Sequence, residues 1–517
     1  MPSGNALERI LVLDFGAQYA HLICRRIREL GVYAELVPFD IEPEEIRERN
    51  AKGLVFSGGP KSVYAKGAPL PKIAIYDLGL PILGICYGLQ ALVHQKGGQV
   101  SRASKKEFGK AFVRVDERSA LFAGFGEEPM ICWMSHGDSA EVLPRDFIPV
   151  ATSDNSPFAA IASGNQFAVQ FHPEVTQTEK GTQILSNFVF GICNCEKNWT
   201  PKVMVEDTLR NLKEQIGPSD RVICALSGGI DSATTAELLR RVIGQRLYCV
   251  FVDHGLLRKG EREKINSVFR REMGSNLIVL DDSKVFLGKL KGVKDPEKKR
   301  QIVGREFIRS FTKVSERIGG IRWLAQGTLY TDIIESARGT SKQEARIKSH
   351  HNVAGLPKRL GFRLIEPLKD LYKDEVRAVA AELGLPPEIV KTHPFPGPGL
   401  SVRIIGEVTK DKLTICREAS SIVEEELIKT GLYDSVWQAY AAVGDDLATG
   451  VLGDERKVGH VVIVRIVESK EAMTADWSRV PYSLLESISS RITNEVPNVT
   501  WVTYAISSKP PATIEPQ

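Results

Sequence analysis

Cys86, His172 and Glu174 are residue types that together can open an amide bond, and Cys86 and His172 each end a strand-like run. Residues 81–85 read as a strand that delivers Cys86 to a turn before a helical stretch at 89–95. A thiol at such an elbow is exposed near a helix N-terminus, where thiolate is stabilised. A lone cysteine in such a run is most often a buried structural thiol, but this one has company. Val169-Gln170-Phe171 runs into His172-Pro173-Glu174, an imidazole at a strand end with a carboxylate two residues on. That carboxylate can orient the ring and stabilise imidazolium while the ring activates the thiol. Ser57-Gly58-Gly59-Pro60 follows the strand-like run 53–56, and its glycine turn offers backbone N–H groups to an oxyanion.

A second constellation is Ser227-Gly228-Gly229-Ile230-Asp231-Ser232, set between the apolar run 222–225 and a stretch at 233–242 rich in helix formers. Paired glycines let backbone N–H groups crowd onto an anion, two hydroxyls add donors, and a helix N-terminus favours negative charge. No Lys follows the second glycine, so the GxxxxGK[ST] loop of ordinary NTPases is excluded. SGGIDS resembles instead the pyrophosphate loop of the N-type ATP pyrophosphatases, which cleave ATP between the α and β phosphates and adenylate a carbonyl oxygen.

The elements around these sites alternate. Runs at 10–14, 53–56 and 81–85, with helical stretches such as 20–31 between them, predict a parallel sheet covered on both faces. Runs at 247–253 and 277–281 extend the same pattern around SGGIDS, and the resemblance implies that the strand end Asp253-His254-Gly255 lies next to where adenosine would sit. Residues 197–206 read as a linker. The basic segment 289–300 has the composition of a solvated helix face, and 342–358, centred on Lys348-Ser349-His350-His351-Asn352, that of a basic loop able to close over polyphosphate. His393-Pro394-Phe395-Pro396-Gly397-Pro398-Gly399 cannot be helix or central strand and must be a rigid connector.

The chain has 517 residues, too many for one core. Lys and Arg exceed Asp and Glu by four (68 against 64), which argues against a dedicated nucleic-acid binder. No apolar run is long enough to span a bilayer, and the first nine residues lack a signal-peptide core. Eight cysteines, several inside apolar runs, read as reduced core thiols. Cys193-x-Cys195 lacks the second pair a metal site would need. A cytoplasmic location is expected.

GICYGLQ, SGGP and FHPE together resemble the class I glutamine amidotransferases over roughly residues 8–195. That resemblance implies that Cys86 is the nucleophile on the glutamine amide, His172 its base and Glu174 the orienter of the ring. It also implies that backbone at Gly59 and Tyr87 forms the oxyanion hole, and that Gln90, Ser135 and His136 lie at the glutamine. With DPEKKR, GTLYTDIIES, KSHHNVAGLP, HPFPGPGL, TADW and KPPATIE added, nearly the whole chain resembles the glutamine-hydrolysing GMP synthase family. The fold class expected is α/β, two doubly wound parallel-sheet domains (1–197 and 205–395) followed by a small α+β domain (396–517) for dimerisation and XMP binding.

What this resemblance implies is a homodimer that uses glutamine, ATP with Mg2+ and XMP, and no tightly bound organic cofactor. Ser227, Gly228, Gly229, Ile230, Asp231 and Ser232 would bind phosphates, with Asp231 near the metal and Lys373 a further ATP contact. Arg300, Gln438, Lys509 and Glu515 would hold XMP. This sequence departs from the family at Thr331, where Pro is usual, at Glu455, where the family has Gly, and at Glu515-Pro516-Gln517, where Trp-Glu usually follows the acidic position. The rival N-type enzyme, glutamine-dependent NAD synthetase, carries a Glu-Lys-Cys glutaminase that these motifs do not resemble.

Overall fold

A computed structural model describes residues 7–17, 19–337, 362–452, 455–469 and 474–517. The expected basic loop at 342–358, with the KSHHNVAGLP motif, lies outside the described residues. The chain folds into two compact units, 1–203 and 204–517.

Unit 1 is built on a nine-stranded sheet in the order β2-β1-β3-β4-β9-β8-β7-β5-β6. Its strands are β1 (Arg9–Asp14), β2 (Tyr33–Pro38), β3 (Ala51–Phe56), β4 (Ile82–Ile85), β5 (Gln99–Val115), β6 (Met130–Val142), β7 (Ile148–Ser153), β8 (Ala160–Ser163) and β9 (Gln166–Val169). The five strands from β2 to β9 run parallel, and the remaining pairings are antiparallel. Parallel strands covered on both faces read as continuous apolar runs; Ile10, Leu11, Val12 and Leu13 are all fully buried. The antiparallel half was not expected. In β5, Ser-Arg-Ala-Ser-Lys-Lys-Glu breaks the alternation that would have betrayed a strand.

The order β3-β4-β9 is what assembles a site. β4 lies between the other two and all three are parallel. Their C-terminal ends therefore bring the SGGP turn, Cys86 and the segment leading to His172 side by side, as open parallel sheets do at their carboxyl edges. The helix Tyr87–Gln95 packs directly on its own strand. A Cβ on Gly84 would lie 2.7 Å from the carbonyl carbon of Gly88, and one on Gly88 would collide with the carbonyl oxygen of Phe56.

The helix Pro201–Gln215 starts earlier than expected, because Pro201 suits the first turn of a helix. The predicted linker is correspondingly shorter and is tied down. Asn198 and Trp199 both donate their N–H to Gly31 O, and the Trp199 ring packs 4.5 Å from that of Tyr33.

Unit 2 contains an all-parallel sheet of β10 (Arg221–Leu226), β11 (Leu247–Asp253), β12 (Leu277–Asp281), β13 (Ile321–Ala325) and β14 (Arg363–Ile365), in the order β12-β11-β10-β13-β14. The central strand, β10, carries the SGGIDS loop. A second sheet pairs β15 (Gln438–Leu452) with β16 (Glu455–Glu468), which also receives β17 (Asp476–Trp477) and, in parallel, β18 (Val499–Tyr504). The helices Lys410–Lys429 and Tyr482–Glu495 cover it. One hydrophobic cluster includes Ile223 and Val250 from the first sheet and Val443 and Val462 from the second.

Two glycines in helices make opposite predictions. Gly88→Ala drives a methyl into backbone, and such overpacking costs about 1–3 kcal/mol; thermal unfolding of unit 1 should shift down. Gly304, exposed within the helix Pro296–Ile318, has nothing within 4 Å of an added Cβ. Gly304→Ala should stabilise unit 2 by about 1 kcal/mol, read as a raised unfolding midpoint.

Candidate active sites

Cys86 holds φ 53° and ψ −103°, a backbone conformation that side chains rarely adopt, directly before the helix Tyr87–Gln95. Its N–H donates to Val169 O at 2.8 Å, which pins the elbow to the end of β9. The thiol faces Ser135 O at 3.6 Å. His172 donates its main-chain N–H to Trp133 O in β6, and Thr178 Oγ1, from the turn that follows, donates to His172 O, so the residue is held from both sides.

The imidazole Nδ1 lies 2.7 Å from Glu174 Oε1. A carboxylate at Nδ1 fixes the proton there and turns Nε2 toward another partner, and the ring is hydrogen-bonded to Cys86. Burial on its own would lower the His172 pKa, but the charge of Glu174 and the bonds to Cys86 and Glu174 outweigh it and lift the value to about 11. The ring is therefore imidazolium at neutral pH. Glu174 is almost wholly buried, and its Oε2 has no hydrogen-bond partner among the described residues. Cysteine sulfur, imidazole and carboxylate in this order can pass the sulfur's proton to the ring, supply a nucleophile and return that proton to a leaving amine.

Beside them, Ser57 Oγ accepts from Phe15 N and donates to Gly58 O, which sets the SGGP turn. A Cβ at Gly58 would sit 3.3 Å from His172 Cε1, and one at Gly59 3.0 Å from the Tyr87 ring. Gln90 is buried and donates to Asp138 O. Ser135 is exposed. His136 differs from the expectation for a ligand contact: Nδ1 meets Asp138 O at 3.0 Å and Nε2 meets Glu107 Oε2 at 3.1 Å, so both ring nitrogens have protein partners.

In unit 2, the loop between β10 and the helix Ile230–Ile243 is cross-braced by its own hydroxyls. Ser232 Oγ accepts from Ser227 N and donates to Gly229 O, and Ser227 Oγ accepts from Gly229 N. Gly228 takes φ +82°, as a tight anion-cradling turn requires. Lys373 Nζ lies 2.7 and 2.6 Å from the two oxygens of Asp231. Glu261 is buried beside Gly228, and burial raises its pKa despite the opposing charge of Arg258. A cavity of about 120 Å³ is lined by Ser227, Gly229, Asp231, Glu261, Lys373 and His393, among others.

The residues assigned to XMP divide. Gln438 Nε2 donates to Glu515 Oε1 at 2.7 Å, and Arg403 grips both oxygens of Glu515 at 2.9 and 3.0 Å. Arg300 pairs instead with Glu297 at 3.6 Å, and Lys509 exchanges backbone hydrogen bonds with Ala475. The segment 505–517 is tied throughout: Arg465 donates to the carbonyls of Ser507, Thr513 and Ile514, and Tyr440 to Ile514 O.

Residues 11–192 match the family Glutamine amidotransferase class-I, and residues 425–516 match the family GMP synthase C terminal domain. A glutamine-hydrolysing GMP synthase of Carboxydothermus hydrogenoformans is 52% identical over 510 residues, 98% of this chain and 99% of its own. Those of Caldanaerobacter subterraneus subsp. tengcongensis and Geobacillus kaustophilus are each 51% identical, over 99% and 98% of this chain and 99% of their own lengths. The chain belongs to the glutamine-hydrolysing GMP synthase family.

Within that family frame, sequence reasoning missed Arg403, Arg465 and Lys299. Arg403 is 1% exposed, and its guanidinium lies over the rings of Tyr440 and Phe395. Its neighbour Glu515 is 112 residues away in sequence, so no local pattern could signal the pair. Lys299 corrects the reading of 289–300 as a solvated face: Lys298 is exposed, but Lys299 has no exposed surface.

Glu174→Gln removes the charge that keeps His172 protonated. Glutamine hydrolysis should fall about 10²-fold or more, the usual effect of losing positioned acid–base catalysis. The imidazolium signals of His172, observed by NMR, should persist past pH 9 in the parent and vanish at lower pH in the variant. Because the folded pKa is raised above the ordinary value, this proton stabilises the fold fully below about pH 6.5, and the contribution is lost as pH rises toward about 11. The deficit of the variant in thermal unfolding should therefore be largest in mild acid and shrink in alkali.

Proposed function

We propose that Cys86, His172 and Glu174 carry the glutamine hydrolysis of an enzyme that aminates XMP to GMP. Having passed its proton to His172, the Cys86 sulfur attacks the side-chain amide carbon of glutamine, and the oxyanion is met by backbone N–H groups at Gly59 and Tyr87. His172 gives a proton to the departing nitrogen, so ammonia leaves and a thioester remains; water then releases glutamate. The observation that carries this reading is the chain of contacts from Glu174 through the imidazolium of His172 to Cys86.

The second half of the reaction is proposed for unit 2. Ser227, Gly228, Gly229, Ile230, Asp231 and Ser232 bind the polyphosphate of ATP, and the XMP C2 oxygen attacks the α phosphorus, releasing pyrophosphate. Ammonia then displaces AMP, a far better leaving group than an oxo oxygen. The donor set beside the loop fits Mg2+, since Asp231 offers carboxylate oxygens and Mg2+ prefers oxygen ligands. When bound, the ion would shield the pyrophosphate charge. Lys373, beside the same carboxylate, would meet phosphate.

Arg300, Gln438, Lys509 and Glu515 are proposed for XMP, with Glu515 offered on the edge of a rigid Arg403 pair. The division into 1–197, 205–395 and 396–517 is proposed as the functional one. Exposed Leu447, Val451, Val458 and Trp501 on the second sheet of unit 2 support a homodimer formed through that region. Eight buried free thiols suit a reducing, cytoplasmic setting. No helix among the described residues is long and apolar enough to cross a membrane.

The test compares GMP formation by the parent and Cys86→Ala, with XMP, ATP and magnesium, from glutamine or from ammonium. The variant should make GMP from ammonium at the parental rate and none from glutamine. Equal loss with both nitrogen sources would remove Cys86 from the ammonia-supplying role. Lys373→Met should raise KM for ATP about tenfold, the loss of one charge-assisted contact, without changing glutamine hydrolysis measured on its own.

A further inference from the structure

Lys299 is a lysine with no exposed surface in the helix Pro296–Ile318. Its ammonium donates to Ser401 O at 3.1 Å, Ile404 O at 2.6 Å and Gln517 Oε1 at 2.7 Å. Three N–H groups thus meet three acceptors, and every one is neutral; no carboxylate pairs with it among the described residues. Burial, helped by the neighbouring charge of Lys412, holds its pKa down to about 8 despite Asp445. A buried cation with no counter-charge is costly, so its geometry calls for a use.

The acceptors indicate that use. Ser401 and Ile404 flank Arg403, the residue that grips both oxygens of Glu515, and Gln517 stands two positions beyond Glu515. One ammonium therefore joins the turn bearing the clamp to the segment bearing the clamped carboxylate. An apolar side chain of similar length would leave the two buried carbonyls without this donor and release the half-buried amide oxygen of Gln517. We propose that Lys299 is a positioning residue for XMP, holding the Arg403 turn and the segment around Gln517 in register so that Glu515 is presented in one geometry. This rests on the reading of Glu515 as an XMP contact.

The test isolates the segment's side of the latch, because Lys299→Met would also strand the carbonyls of Ser401 and Ile404 and could unfold the turn. Gln517→Ala removes only the third acceptor, whereas Gln517→Glu keeps it and adds a counter-charge. GMP formation is measured from ammonium, which bypasses glutamine hydrolysis, together with hydrogen–deuterium exchange of peptides covering 505–517. Gln517→Ala should raise KM for XMP about tenfold, the usual contribution of one hydrogen bond to a charged group, with KM for ATP unchanged, kcat within about twofold and faster exchange in 505–517. Gln517→Glu should restore parental KM and exchange. A general loss of structure would instead move KM for ATP and kcat as well, and that result overturns the proposal. Glu515→Gln is run alongside. If it raises KM for XMP while Gln517→Ala does not, Lys299 is no positioning residue although Glu515 is a contact. If Glu515→Gln leaves KM for XMP unchanged, the XMP reading falls and the inference with it.

Discussion

A strand and a helix in unit 1 are joined with no residues to spare, and the candidate glutaminase site depends on that joint. Cys86 must turn the chain at positive φ, and the helix that follows lies so close to its strand that neither Gly84 nor Gly88 tolerates a side chain. The thiol cannot drift, because its own backbone is hydrogen-bonded to β9, the strand that leads to His172. Placing β4 between β3 and β9 then makes the SGGP turn, the thiol and the imidazole neighbours without any long-range adjustment. Strain at one residue is tolerated because the packing around it leaves no alternative.

Three buried charges are handled in three ways. His172 is paired with a carboxylate that is itself buried, so each ion solves the other's desolvation and the ring stays charged. Arg403 directs its planar fork at Glu515 and its faces at two aromatic rings, an arrangement suited to guanidinium and out of reach for lysine. Lys299 has only neutral oxygens and accordingly holds its proton less tightly. The first of these is a reacting centre in the proposed chemistry. The second and third bind segment 505–517, so the electrostatics that position the carboxylate proposed for XMP begin well behind it.

Much of this was legible in the sequence. Cys86, the His172-Pro173-Glu174 run and the SGGIDS loop each end or follow an apolar strand, and a parallel sheet places such ends together. Where sheet order was decided by antiparallel pairing, as in β5 and β6, polar and basic residues hid the strands. Composition likewise hid Lys299, since three adjacent basic residues look alike until helix geometry turns one inward. The bond from His172 N to Trp133 O and the grip of Arg403 on Glu515 join residues far apart in the chain, and nothing local encodes them. For His136, the resemblance offered a glutamine contact, but its engagement with Glu107 and Asp138 required the folded sheet.

The anchoring of segment 505–517 bears on the order in which unit 2 assembles. Arg403 and Glu515 are 112 positions apart, and Lys299 and Gln517 are 218 apart. Contacts that close such large loops must offset chain entropy before they contribute anything, and they form late. The SGGIDS loop needs only β10 and the helix after it, both contiguous with it in sequence. During folding, then, the loop proposed for ATP would exist before the carboxylate seat proposed for XMP, and a molecule arrested at that stage would carry the first without the second.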